Sequence, residues 1–332
     1  MRERVYTPVL RTAGAAAALT HLLGATVFCF HSVTDDRAPA DATTSLSVSA
    51  GFIRRLVTRL RDLGIAIISL DEAIARRERG DRRPFAALTF DDGYADNAQV
   101  LHPLMEALDA PYAIFVTTGL IDGSMPLWWD SLERLVRDSP AIMIDGASIA
   151  LPAERKAAVH DELVAQFRAL SAYGQRARFE QLQHANPRLA TYRPYASCLN
   201  WSAVRALHRS PLVTIGAHTR THPMLSRCDA ATLQDELIAV RGEIAERIGA
   251  PVDYLAYPFG QPDEYGPLAP DVAARAGYRA AFTTVHGAWS RARDPFALPR
   301  VLIANKARHA DVALAYMSPV PRAIKRWLGG TA

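Results

Sequence analysis

Two adjacent carboxylates, Asp91 and Asp92, stand directly after the apolar run 85–90 in this sequence. A glycine and a polar segment follow them. Neighbouring like charges repel each other, and the end of a buried strand is a poor place to leave them unpaired. A bound cation would remove that repulsion, so the pair indicates a cationic ligand close by.

His218 and His222 form the second informative pair, because two imidazoles four positions apart are a familiar arrangement around one metal ion. Gly216 and Pro223 bracket the pair, so we do not expect it on a helix. Two imidazoles and one carboxylate make three protein ligands, and zinc then keeps a fourth position open for water. One aspartate of the first pair would bind the metal, and the other would act as a base on that water.

Each motif also has an ordinary interpretation. An Asp-Asp-Gly sequence is a common turn after a strand, and two histidines four positions apart occur often by chance. Both motifs, however, come directly after a strand-like apolar run. Their shared position favours a functional site over two unrelated loops.

Short apolar runs separated by amphipathic helical patterns make up most of the chain. These runs are apolar on both faces, as expected of buried parallel strands. They lie at residues 26–30, 65–69, 85–90, 112–118, 212–216, 252–257, 278–284 and 297–303. Strands alternating with helices predict an α/β fold, and about seven or eight parallel strands favour a distorted (β/α) barrel over an open doubly wound sheet.

Helices are predicted between the strands, and two of them have recognisable ends. Ser49 and Asp229 are predicted N-caps, and Gly249 is predicted to end the second helix. Residues 120–211 hold no convincing strand, so we expect a helical insertion between two barrel strands. The predicted organisation is an N-terminal docking helix or targeting segment (1–24), a barrel domain with its insertion (25–305) and a C-terminal helical tail (306–332).

Composition and charge argue against several classes of protein. The 332 residues carry a formal net charge of +4 without a basic stripe, so we expect no nucleic-acid partner. The three cysteines are widely spaced and predict neither a disulfide framework nor a Cys-x-x-Cys metal site. The arginines and the alanine-rich stretch at the N-terminus favour a docking helix over a targeting segment. We therefore expect a cytoplasmic protein, with the inner membrane face and export as alternatives.

Ionisable side chains gather where the predicted strands end. His31 follows the run 26–30, the aspartate pair follows 85–90, and Arg300 lies within 297–303. In α/β barrels the active site forms at the C-terminal ends of the strands. We therefore expect these groups to share one rim of the barrel.

Three short motifs, in this order along the chain, resemble those of the NodB-homology polysaccharide deacetylases, a family of carbohydrate esterase type. They are TFDDG (89–93), HTRTH (218–222) and YPFG (257–260). The first is nearly a signature, the second fits the family pattern H-[ST]-x-x-H, and the third is supportive. The resemblance covers roughly residues 25–120 and 210–305, but not the insertion.

The resemblance implies metal-dependent removal of N-acetyl groups from amino sugars, the activity of a chitooligosaccharide or other polysaccharide deacetylase in carbohydrate metabolism. Carried over by position, Asp91 would be the general base, and Asp92, His218 and His222 would hold one divalent ion. Zinc is the expected metal, and cobalt and nickel also suit two imidazoles and a carboxylate.

Five side chains are candidates for substrate binding. The resemblance implies that Tyr257, Pro258 and Phe259 help to wall the groove. Trp128 and Trp129 lie in the insertion, where their rings would either stack on a sugar face or anchor the start of a helix. The expected partner is an N-acetylated glycan or a lipid-linked sugar, with membrane-surface association in the second case.

The sequence departs from the family pattern at two places. Ala256 stands where the family often has an arginine that orients the base, and the late segment LPRV (298–301) lacks the usual acid histidine. Arg300 and His31 are the expected replacements, because both lie beside strand ends. The alternatives are a structural ion pair for Arg300, a loop contact for His31, and His286 as the acid.

The favoured function is therefore a metal-dependent carbohydrate deacetylase, a hydrolase that cleaves a non-peptide amide bond. A catalytically weak glycan-binding protein of the same fold is the alternative, because the usual arginine is missing. A phosphoesterase is disfavoured, since the sequence offers one carboxylate ligand and no second metal cluster.

Overall fold

The computed structural model describes residues 12, 23–38, 44–193, 196–304 and 309–318. Its strands are β1 (Thr26–Phe30), β2 (Ser32–Thr34), β3 (Ser47–Ser49), β4 (Ala66–Ile67), β5 (Phe85–Phe90), β6 (Tyr112–Val116), β7 (Ala141–Ile144), β8 (Ala147–Ala150), β9 (Val213–Ala217), β10 (Tyr254–Ala256), β11 (Ala280–Phe282) and β12 (Val301–Leu302). Its α-helices are α1 (Ala50–Asp62), α2 (Leu70–Arg79), α3 (His102–Ala107), α4 (Thr118–Ile121), α5 (Trp128–Asp138), α6 (Ala153–Ala169), α7 (Ala172–Ala185), α8 (Arg188–Thr191), α9 (Trp201–His208), α10 (Ala230–Gln234), α11 (Val240–Ile248), α12 (Pro262–Tyr265), α13 (Ala269–Arg275) and α14 (Ala310–Tyr316). Two π-helical turns, Asn97–Leu101 and Asp235–Ala239, directly precede α3 and α11.

Among the described residues, eight parallel strands form one sheet in the order β11-β10-β9-β6-β5-β1-β12, with β4 paired to the start of β5. The two edges of this sheet meet through the segment before β12. Leu298 bridges Phe282, donates a backbone hydrogen bond to Ala281 O and accepts one from Thr283 N, each at 2.9 Å. The sheet therefore closes into a distorted (β/α) barrel, which confirms the predicted fold class.

The register of β1 against β5 brings two candidate catalytic residues to the same level. Both strands are buried along their whole length, because they are apolar on both faces. They pair in parallel up to Phe30 and Phe90, and Asp91 N then donates a hydrogen bond to Phe30 O at 2.8 Å. His31 and Asp91 consequently leave the barrel at the same end.

The predicted helix ends are confirmed. Ser49 caps α1 by accepting a hydrogen bond from Phe52 N, and Asp229 caps α10 by accepting one from Thr232 N. Gly249 ends α11 in the left-handed conformation, with a φ of 73°. Such caps satisfy backbone groups that the first and last helical turns leave unpaired.

The insertion contains an antiparallel hairpin that the sequence analysis did not predict. Strands β7 and β8 pair, and Asp145 and Gly146 join them with positive φ values of 50° and 80°. Asp-Gly between apolar residues is a strong signal for a hairpin turn of this kind. The expectation that 120–211 holds no strand is therefore wrong, although the other regular elements among its described residues are helices.

The predicted terminal segments lie mostly outside the described residues, which exclude 1–11, 13–22, 305–308 and 319–332. Helix α14 belongs to the predicted C-terminal tail. Just after it, Met317 O accepts a hydrogen bond from Gly24 N at 2.8 Å. Within the described ranges, no helix combines the length and apolar composition needed to cross a membrane.

A glycine-to-alanine pair tests the packing around β9. A Cβ at Gly216 would lie 2.5 Å from the buried Phe115 ring and 3.1 Å from Tyr254 O, whereas a Cβ at Gly242 would meet nothing within 4 Å. We expect Gly216→Ala to lower the free energy of unfolding by about 1–3 kcal/mol, as overpacking does. Gly242→Ala, in the exposed part of α11, should raise it by about 0.5–1 kcal/mol.

Urea denaturation of the two variants beside the parent protein measures both effects. Equal stability of Gly216→Ala and the parent would contradict the close packing of β9 against Phe115.

Candidate active site

Five predicted residues meet at the end of the barrel where β1, β5 and β9 terminate. Asp91 and Asp92 follow β5, His218 and His222 follow β9, and His31 follows β1. The ligand atoms of Asp92, His218 and His222 lie within 4.8 Å of one another. All three side chains are buried, so the fold assembles the predicted ligand set away from bulk water.

The two imidazoles converge on one oxygen of Asp92. Its Oδ1 lies 3.4 Å from His218 Nε2 and 3.5 Å from His222 Nε2. Among the described residues, this buried oxygen has no partner in hydrogen-bonding geometry. A buried carboxylate oxygen without a donor is costly unless a cation neutralises it. Two imidazole nitrogens and a carboxylate oxygen also form a suitable donor set, so these residues fit a divalent ion.

The orientation of His218 is fixed by the neighbouring strand. Its Nδ1 donates a hydrogen bond to Ala256 O, the last residue of β10, at 2.7 Å. With Nδ1 carrying the proton, Nε2 presents its lone pair toward Asp92, which is the arrangement that a metal-binding histidine requires. Burial disfavours the charged ring, but Asp91 and Asp92 outweigh it and raise the pKa of His218.

His222 lies between two aromatic rings. The ring centroids of Trp129 and Phe259 are 4.6 Å and 4.9 Å from that of His222. Burial lowers the pKa of His222 to about 3, although the charge of Asp92 opposes this. The imidazole is therefore neutral near pH 7, and neutral imidazole is the form that binds a metal.

Several residues at this site have a positive φ, a backbone conformation that residues other than glycine rarely adopt. Asp92, Thr219, His222 and Phe259 all have positive φ values, between 57° and 72°. For a β-branched residue such as Thr219 this region is a true outlier. Each such residue costs on the order of 1–3 kcal/mol and persists only where its surroundings hold it. The loops that carry the site are thus shaped by their neighbours and not by local preference.

Asp91 is held by a buried arginine from the far end of the chain. Arg300 Nη1 and Nη2 each donate to one carboxylate oxygen of Asp91 at 2.7 Å, and Arg300 is 1% exposed. Nη1 also donates to Thr89 Oγ1 at 3.0 Å, which fixes the guanidinium plane. Burial would raise the pKa of Asp91, but Arg300 and His218 outweigh it and hold that pKa well below its usual range.

His31 also lies beside Asp91. Its ring lies with Asp91 and Cys29 in a cluster whose potential ligand atoms are within 4.8 Å of one another. Its Nδ1 is buried and has no hydrogen-bond partner among the described residues, while Asn97 Nδ2 donates to the His31 carbonyl at 3.1 Å. Burial lowers the pKa of His31, against the opposing charges of Asp92 and Asp91.

His286, the rival candidate acid, lies elsewhere. Its Nε2 bonds Tyr316 O at 2.9 Å, and its ring is 5.5 Å from that of Tyr316. His286 thus contacts α14, whereas His31 lies beside the candidate base. This placement favours His31 as the acid.

The candidate substrate residues divide into those that reach the site and those that do not. Trp128 is 1% exposed and stacks on Phe167 in the core of the insertion at the start of α5. Of its two predicted roles it therefore has the helix anchor and not the sugar contact. Tyr257 is 0% exposed and its hydroxyl donates to Phe296 O at 2.9 Å, so it cannot touch a substrate either.

Pro258 is buried beside Tyr257, and Phe259 is partly exposed against His222. Trp129 is likewise partly exposed against the same ring. Trp129 and Phe259 are therefore the two aromatic candidates that can line a groove at His222.

Two residues at the site were missed in the sequence analysis. Cys29, predicted only as a core residue, has its Sγ 3.3 Å from Asp91 Oδ2 and donates to it. Tyr94 accepts a hydrogen bond from Trp129 Nε1 at 3.1 Å and donates one to Asp130 at 3.2 Å. Cys29 lies on β1, two residues before His31, and this spacing was the available signal, because alternate residues of an extended chain share a face.

Comparisons with known proteins agree with this geometry. The family model for polysaccharide deacetylase matches residues 78–281, a range that contains both aspartates and both histidines. No curated protein matches the chain.

Solved structures of similar fold include two deacetylases and the protein IcaB. A deacetylase, PplD, of Streptococcus pyogenes in complex with acetate superposes with a TM-score of 0.60 at 17% identity, covering 90% of this chain and 99% of that one. IcaB from Ammonifex degensii gives 0.56 at 17% identity, with coverages of 89% and 97%. A de-N-acetylase from Aggregatibacter actinomycetemcomitans gives 0.52 at 18% identity, with 84% and 95%. At these identities the likeness shows a shared fold.

The buried pair of Asp91 and Arg300 yields a stability prediction for the metal-free protein. Arg300→Met leaves a buried carboxylate without its cation and should lower the free energy of unfolding by about 3–5 kcal/mol. Asp91→Asn in the same chain removes that charge. The free energy of unfolding of the double variant should therefore fall by less than the sum of the decreases that the two single substitutions cause. Urea denaturation of all four proteins measures the coupling. Additive effects would show that the two side chains do not depend on each other.

Proposed function

The chain belongs to the polysaccharide deacetylase family, and we propose that it uses one divalent metal ion, zinc, to remove N-acetyl groups from an N-acetylated sugar or glycan. One observation carries the proposal. His218 and His222 converge on Asp92 Oδ1, and a second carboxylate, Asp91, stands beside them in a bidentate pair with Arg300. A ligand set next to a separately held base is what amide hydrolysis by water needs.

The roles follow from the contacts of each side chain. A divalent ion supplies Lewis acidity, which polarises an amide carbonyl and makes water more acidic. Asp91 accepts the proton of the attacking water as the new C–O bond forms. His31 gives a proton to the nitrogen as the C–N bond breaks, so that acetate and a free amine leave. Arg300 keeps Asp91 ionised and fixes its orientation.

Arg300 also weakens the glycan-binding alternative. That alternative rested on the absence of an arginine at Ala256, whose carbonyl accepts the hydrogen bond from His218. The guanidinium reaches the base from the segment before β12 instead. In the proposed site, the arginine that orients the base would therefore come from the segment before β12 and not from the end of β10.

A two-metal phosphoesterase is disfavoured by the same contact. The second cluster of potential ligands in the described residues is Cys29, His31 and Asp91. Asp91 in that cluster is already paired with Arg300, and a second cation beside a buried guanidinium would be repelled. The site therefore supports one metal ion and one base.

The substrate class draws support from the structural neighbours. A polysaccharide deacetylase from Bacillus cereus and the Aggregatibacter de-N-acetylase share the fold, and this chain has Trp129 and Phe259 available for sugar faces. Chitin oligomers, an exopolysaccharide, peptidoglycan and a lipid-linked sugar are the substrates to screen, with a membrane-surface location in the last case.

The two neighbouring aspartates should differ in function. Asp91→Asn should retain zinc but lose acetate release by on the order of 10²–10⁴-fold, because it removes a general base. Asp92→Asn and His222→Ala should lose the metal itself, because they remove ligands. Elemental analysis of zinc content together with acetate release from a panel of N-acetylated glycans checks both parts.

Asp263→Asn is a matched control, because Asp263 is an exposed carboxylate on α12. It should leave both zinc content and acetate release unchanged. If Asp91→Asn and Asp92→Asn lose zinc equally, the proposed division of roles is wrong. If no glycan in the panel releases acetate from the zinc-loaded parent protein, the proposed activity itself is wrong.

His31 should matter only where the leaving group needs a proton. An amide nitrogen must be protonated as it departs, whereas an activated aryl ester releases a stable phenolate unaided. His31→Ala should therefore lower sugar deacetylation by about 10²-fold or more and largely spare aryl-acetate hydrolysis. His286→Ala is the control histidine and should affect neither. Equal losses on amide and ester in His31→Ala, at unchanged zinc content, would remove His31 from the acid role.

A further inference from the structure

Glu236 is a buried carboxylate to which the proposed chemistry gives no role. It lies in the π-helical turn Asp235–Ala239 and is 3% exposed, between the buried Leu233 and Val240 on the same helical face. Asp235 and Glu246 nearby are exposed, as acidic residues on a helix usually are. A buried carboxylate is retained only where its hydrogen bonds offset the loss of hydration.

In the described residues, the hydrogen bonds of Glu236 all go to the loop between the two histidines. Its Oε2 accepts hydrogen bonds from the backbone N–H groups of Arg220 at 2.7 Å and Thr221 at 2.9 Å. Its Oε1 accepts from the Thr221 hydroxyl at 2.5 Å. One side chain therefore binds three donors within the sequence that separates His218 from His222.

The opposite side of the same loop is held by the start of α4. Thr117 Oγ1 donates to His218 O at 2.9 Å, and Gly119 N donates to Arg220 O at 2.7 Å. Thr118 N donates to Thr219 O at 3.3 Å. The carbonyl groups of the loop thus bond to α4 and its N–H groups bond to Glu236, which leaves this backbone little freedom to shift.

We propose that Glu236 is a positioning residue that sets the distance and orientation between His218 and His222. The inference rests on the proposed function in one respect, namely that these histidines hold the metal. Thr219 and His222 adopt positive φ within this loop, and His222 N donates to Thr219 Oγ1 at 3.0 Å. Without Glu236 two N–H donors lose their acceptor, and the loop relaxes away from the geometry that points His222 at Asp92.

Glu236 acts through geometry and not through its charge. Both backbone donors bond to the same oxygen, Oε2, so a glutamine whose amide oxygen takes that place keeps both contacts. The Thr221 hydroxyl can then rotate to accept from the glutamine amide. Glu236→Gln should therefore rescue what Glu236→Leu loses, although both remove the charge.

Two measurements on the full chain test the proposal. In metal-free protein, hydrogen exchange of the segment 218–224 should be at least about tenfold faster in Glu236→Leu than in the parent, because two amide hydrogen bonds are lost. Zinc affinity, measured by competition with a chromophoric chelator, should weaken by about 10–100-fold, as it does when a residue that orients metal ligands is removed. Glu236→Gln should stay within about threefold of the parent in both.

Two further variants control for general damage to the helix. Glu246→Ala removes an exposed carboxylate from α11 and should change neither measurement. Thr221→Val removes only one of the three contacts and serves where Glu236→Leu does not fold; it should show the same changes on a smaller scale.

Unchanged exchange in 218–224 for the folded variants would overturn the proposal. So would Glu236→Gln behaving like Glu236→Leu, since that result would make the charge responsible. If the parent protein itself binds no zinc, the proposed metal dependence fails, and the exchange measurement still decides whether Glu236 holds the loop.

Discussion

The rest of the site depends on the burial of two adjacent carboxylates at the end of one strand. Asp91 and Asp92 are 2% and 1% exposed, so water cannot offset their charges. Arg300 neutralises the first from the segment before β12, and the imidazoles that follow β9 surround the second. These strands are distant in sequence, but in the sheet only β6 separates β5 from β9 and only β1 separates β5 from β12. The strands from β9 to β12 therefore have to pair in this order before the partners of either carboxylate are in place.

The loops that carry the site are held by backbone contacts from neighbouring elements. Asp92, Thr219 and His222 have positive φ, a backbone conformation that is unfavourable for these residue types and that contacts with the surrounding structure must maintain. Both π-helical turns contribute a buried polar side chain to such a loop, Asn97 to the carbonyl of His31 and Glu236 to the amides before His222. A π turn inserts one extra residue into a helix and re-aims the side chains at that point, which explains its frequent place at functional sites.

The sequence sufficed to predict the barrel and the three residues that meet as a candidate metal site. Physical reasons separate these two predictions from the features that were missed. A run that is apolar on both faces predicts a buried parallel strand, even where the exact ends of that strand are uncertain. All eight predicted strands are accordingly found, although β4 and β12 are only two residues long. The Asp-Asp and His-x-x-x-His spacings are local, so the residues that would bind a metal were predictable. The pairing of Arg300 with Asp91 spans 209 positions and follows from the strand order, because β1 lies between β5 and β12 in the sheet. Trp128 and Trp129 are equivalent by composition, but neighbours on a helix point about 100° apart, so only one reaches the site.

The insertion is part of the site and not an appendage to the barrel. Trp129 on α5 packs against His222, and Arg168 at the end of α6 stacks over Phe259 at 4.5 Å and forms an ion pair with Glu264. Behind Trp129, Tyr94 and Asp130 line a cavity of about 230 Å³. In the proposed function, the barrel would supply the groups that do chemistry, and Trp129 and Arg168 of the insertion would form part of the wall beside His222. Differences in substrate among proteins with this barrel are then expected in the segment for which the sequence motifs carried the least information.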